Sequence, residues 1–93
     1  MWIVKFLLMI IDDIPEFIRE SGVFNSDQLL QLATIERVPT PIEIDNFAYE
    51  PEVQELLNAF IGDPQTRRTH QLQQARVFLM NGRVIDAWKI ALL

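Results

Sequence analysis

The chain has 93 residues, 49% of them apolar, with a net charge of −5 at pH 7. It has no cysteine and one histidine, His70, which exclude disulfides, thiolate chemistry and any two-histidine metal site. A chain this short forms one domain and buries only about 60–65% of its unfolded surface. So high an apolar content therefore leaves either a dense core or apolar surface covered by a partner or a second copy.

The first eleven residues, "MWIVKFLLMII", are apolar on every side. They fall far short of the ~20 residues that cross a bilayer, and a secretory signal would need a basic start and a small-residue cleavage site. The stretch reads as buried structure. Helical spacing continues through Ile14, Phe17 and Ile18, which favours a helix; Trp2, Ile3, Val4 and Phe6 leave a strand over 2–11 as the alternative. Pro15 breaks the chain and suits the first turn of a short helix, "PEFIRE", capped by Asp12 or Asp13 and stopped at Ser21-Gly22. Ser26 reads as the cap of the next helix, "DQLLQLATIE", whose apolar face is Leu29, Leu30, Ala33 and Ile35.

In "RVPTPIEIDNFAYEPE", Pro39 and Pro41 oppose a helix, and Ile42 and Ile44 alternate with Glu43 and Asp45 like a short extended segment. Stiffened by proline and carrying Ile42, Phe47 and Tyr49 among acids, this connection is a candidate interaction epitope, because little ordering entropy is lost on binding. The other reading lays it over the core with its apolar residues tucked under. Pro51 opens a helix in which Val53, Leu56, Leu57 and Phe60 share a face. Gly62 stops it, and Asp63-Pro64 is a cap and restart for a helix through "PQTRRTHQLQQARVFLM", with Leu72, Ala75 and Leu79 as its stripe.

Asn81-Gly82 admits two readings. As a hairpin turn it pairs 76–80 with 83–89 and gives an α+β fold. As a helix stop it starts a last helix in which Val84, Trp88, Ala91 and Leu92 share a face. The high helix propensity of "AWKIALL" and the position of Asp86 favour the second. Gly22, Gly62 and Gly82 then share one role, a left-handed stop after a helix. The fold expected is all-α: five or six short helices, one long proline-containing connection and a C-terminal helical hairpin. "ARVFLMNGRVIDAWKIALL" resembles the helical hairpin of tetratricopeptide-type and related α-solenoid repeats over about one fifth of the chain. No second copy occurs at their spacing of roughly 34 residues, so the likeness carries over no binding residues.

Charge divides the chain. Residues 1–63 hold three basic and twelve acidic side chains, and residues 64–93 hold five basic ones against Asp86 alone. Such halves can pair within a molecule, pair between copies, or offer the basic part to an acidic partner. Arg67, Arg68 and Arg76 are the candidates for that contact. Trp88 anchors the C-terminal helix, either as core or as an interface hot spot. Asp12-Asp13 reads as a capping pair, Ser21 and Ser26 as helix-border hydroxyls, and His70 as a solvated side chain; none forms a catalytic set. The function expected is that of a cytoplasmic, non-enzymatic interaction module, a subunit or inhibitor-like accessory protein of a larger assembly. It would meet a protein partner or itself, with no cofactor and no metal. The alternative is a nucleic-acid-associated regulator using the basic 64–83 segment, against which the acidic remainder argues. Membrane-surface attachment through residues 1–11 is the weakest reading.

Overall fold

The computed structural model describes residues 14–35 and 37–93, and these form helices with no strand. In order they are α1 (Glu16–Arg19), α2 (Ser26–Ala33), α3 (Pro41–Ala48), α4 (Pro51–Ala59), α5 (Pro64–Met80) and α6 (Val84–Leu92). The all-α expectation holds for them, and the hairpin of 76–80 with 83–89 does not form. The readings of residues 1–11, including the alternative strand, and of Asp12 and Asp13 lie outside the described residues.

Helix starts follow the backbone's need to satisfy its first amides. Asn25, not Ser26, caps α2: its side chain accepts from the Gln28 amide at 2.9 Å, and the Gln28 side chain accepts from the Asn25 amide at 2.9 Å. Such a reciprocal box needs Glu or Gln three residues after the cap, which Gln28 supplies for Asn25 and Leu29 cannot supply for Ser26. The helix ends at Ala33, and Leu32, outside the expected face, is its most deeply buried residue.

The extended reading of Ile42–Ile44 is overturned. Thr40 caps α3, its hydroxyl accepting from the Glu43 amide at 3.3 Å, and Pro41 is the first helical residue. At that position the missing N–H would have had no intrahelical partner, and the fixed φ already suits a helix. A proline that forbids a helix interior therefore starts one. Pro51 and Pro64 do the same for α4 and α5, whereas Pro15 stands one residue before α1.

The Asn-Gly question is answered by two hydrogen bonds. The Arg83 amide donates to Phe78 O at 2.8 Å and the Gly82 amide to Leu79 O at 3.1 Å. This pattern closes a helix on a left-handed residue, and Gly82 has φ +78°. The chain reverses there, and α5 and α6 pack antiparallel as the most extensive helix pair among the described residues. Ala75 of α5 and Ala87 of α6 are both fully buried.

The core lies where α2, α3 and the α5–α6 hairpin meet. Trp88, 3% exposed, fills its centre, and its indole Nε1 donates to Leu32 O at 2.8 Å. Leu32 belongs to the last turn of α2, whose carbonyls have no helical partner of their own. Phe47 of α3 meets Phe78 edge to face, ring centroids 6.4 Å apart. Among the described residues no buried side-chain polar atom lacks a hydrogen bond.

Trp88→Ala removes a buried aromatic ring and should destabilise the fold by ~3–5 kcal/mol in urea unfolding. Trp88→Phe keeps most of the volume, loses the bond to Leu32 and should cost about 1–3 kcal/mol. A Phe variant as stable as the parent would show that the indole bond contributes nothing. Space around the Gly82 Cα is open, so Gly82→Ala should cost only the left-handed backbone strain, about 1 kcal/mol in a thermal melt.

Candidate functional site

Two helices of unequal length build the site. α5 has 17 residues and α6 has 9, about 25 Å against about 14 Å at 1.5 Å per residue. The Gln71 side chain marks where α6 runs out, donating to Ile90 O at 2.6 Å and Leu93 O at 3.1 Å. Residues 64–70 of α5 extend beyond that point, and all seven are exposed. Arg67, Arg68 and His70 stand on this overhang.

Asp63 holds the overhang's first turn. Its carboxylate accepts from the Thr66 amide at 2.8 Å, and that bond, helped by the Thr66 hydroxyl, keeps the carboxyl below its ordinary acidity range. Beneath the overhang, Leu57, Phe60 and Pro64 join Arg67, Arg68 and Gln71 around an open concavity of about 360 Å³. The Arg68 guanidinium lies 5.0 Å from the centre of the Phe17 ring, and the His70 and Phe60 rings lie nearly parallel with centroids 6.4 Å apart. Apolar and polar side chains thus share the lining, with both guanidinium groups among them.

Neither guanidinium is neutralised by a described residue. Among the described residues Arg67, Arg68 and Arg76 make no ion pair. Arg83 shows the contrast: it pairs with Glu52 at 3.2 Å and Asp86 at 2.8 Å, and these partners raise its pKa. Pairing between the basic and acidic halves within one molecule is thus confined to Arg83 and Glu52 among the described residues.

A second surface lies on α3. Ile42, Asp45 and Tyr49 recur at helical spacing on its outer side, with Ile42 72% and Tyr49 80% exposed. Phe47 points the other way, into the core, with the Lys89 ammonium 5.5 Å from its ring centre. Of the candidates named from sequence, Arg67 and Arg68 come together, Ile42 and Tyr49 come together, and Arg76 stands apart on α5. Phe47 and Trp88 are core. The concavity's apolar residues Leu57 and Phe60, and Phe17 against Arg68, were not among the candidates. Phe60 carries a signal, since it sits at the end of an apolar stripe just before a helix restart; Phe17, 51 residues from Arg68, carries none.

No group of three or more His, Asp or Glu able to hold a metal occurs among the described residues. No helix among them is long and apolar enough to cross a membrane. No family model matches the chain, and no curated protein or solved structure matches it.

Because folding lowers the Asp63 pKa, its cap contributes stability above the unfolded aspartate value near 3.9, and loses it as pH falls through the lower folded value. Asp63→Ala should melt below the parent at neutral pH, and the two melting temperatures should draw together in acid. A gap that persists at pH 2 would mean the carboxylate is not the cause.

Proposed function

We propose that the protein works by protein–protein contact, as a cytoplasmic, non-enzymatic subunit or inhibitor-like accessory protein of a larger assembly. The observation that carries this reading is Arg67 and Arg68, without an ion pair among the described residues, beside Leu57 and Phe60 in the concavity of the α5 overhang. Exposed arginines over aromatic and aliphatic groups are frequent anchors of protein interfaces, where apolar burial and charge recognition act together. The outer stripe of α3 adds exposed apolar area that the described core leaves uncovered.

The second reading, nucleic-acid contact through residues 64–83, has the same two arginines and Arg76 in its favour. Against it stands the acidic remainder, since nucleic-acid binding draws on a field of basic charge facing the phosphates.

A tagged copy expressed in its own cells separates the two. Quantitative mass spectrometry should recover a stoichiometric protein complex with the parent, and lose it with Arg67→Glu/Arg68→Glu. Circular dichroism of that variant should match the parent, because both positions are exposed. In fluorescence anisotropy at physiological salt, generic DNA and RNA should bind no tighter than about 100 μM. Submicromolar nucleic-acid binding without a protein complex would replace this reading with the second.

A further inference from the structure

We infer that a second copy of this chain occupies the α5 overhang, inserting the outer stripe of its α3 into the concavity beneath Arg67 and Arg68. The inference rests on the reading that the protein acts by protein contact and names one partner for that surface.

The two surfaces are complementary in three respects. The concavity offers apolar contact through Leu57, Phe60 and Pro64, and the α3 stripe offers two exposed apolar side chains, Ile42 and Tyr49. Its lining includes two guanidiniums with no ion pair among the described residues, and the stripe carries Asp45 one helical turn before Tyr49 and Glu50 directly after it. Neither acid has an ion-pair partner among the described residues. Tyr49 presents a large ring whose burial costs little side-chain entropy, set between acids that would face Arg67 and Arg68.

The surfaces cannot meet within one molecule. Phe47 fixes the inner side of α3 to Phe78, which lies ten residues beyond Arg68 on α5, about 15 Å along the axis. The stripe faces outward at that far end. A contact between unlike surfaces on two copies is heterologous, so each copy keeps one stripe and one concavity unsatisfied until a ring closes or a chain grows.

Light scattering after size exclusion tests this on the intact protein. At low salt the parent should show mass rising with concentration beyond one chain. Raising salt should reverse the rise, since exposed charges are screened within ~8–10 Å even at physiological ionic strength. Arg67→Glu/Arg68→Glu blocks only the concavity, and Asp45→Asn/Tyr49→Ala/Glu50→Gln blocks only the stripe. Each variant alone should be monomeric, with self-association weakened at least about tenfold. Circular dichroism should match the parent in both, since every substituted residue is exposed. The decisive sample mixes the concavity-blocked variant with the stripe-blocked variant, whose concavity is intact. One blocks its acceptor and the other its donor, so the mixture should form a dimer of one copy each and stop there. Monomeric parent at high concentration and low salt would overturn the inference, as would a mixture that stays monomeric. Neither result touches the broader reading if the complex in cells is still recovered with the parent and lost with Arg67→Glu/Arg68→Glu.

Discussion

The hydrogen bond from the Trp88 indole to Leu32 O, made inside the core, ties the C-terminal helix to a helix 56 residues earlier. It meets two needs at once. A buried indole N–H requires an acceptor, and the last turn of α2 has carbonyls with no helical partner. The ring around that bond supplies the large apolar surface that a nine-residue helix needs to stay docked. With α6 held this way, α5 is held through the hairpin, and α3 through Phe47 against Phe78.

The length mismatch within the hairpin converts a packing arrangement into a surface. α6 ends opposite Gln71, so the first two turns of α5 have no antiparallel neighbour among the described residues. Those turns are where the arginines are concentrated. Asp63 and Pro64 hold their backbone in helical form despite the missing partner, and the Arg68–Phe17 and His70–Phe60 contacts give the overhang a partly apolar underside. A helix that presents charged side chains loses less entropy on binding than a loop would.

Proline placement decides the other surface. Pro41 at the first helical position makes α3 a helix, and that changes which side chains share a face. In an extended strand Ile42 and Ile44 would point the same way. In the helix Ile42 lines up with Asp45 and Tyr49 outside, while Phe47 turns inward.

The sequence by itself determined the all-α class, the left-handed stop at Gly82, the restart at Asp63-Pro64 and the Leu72–Ala75–Leu79 stripe. Each depends on interactions between residues a few positions apart, which local spacing records. It determined the charge division too, because that is simple counting. Tertiary structure alone decided that Trp88 meets Leu32, that Phe17 comes against Arg68, and that, among the described residues, Arg83 rather than Arg67 or Arg68 pairs with the acidic half. It also separated Tyr49, left in solvent, from Phe47, drawn into the core. Those outcomes depend on how far α5 outruns α6 and on the direction in which α3 crosses them. Both are fixed by contacts between residues distant in the chain, which no local pattern encodes.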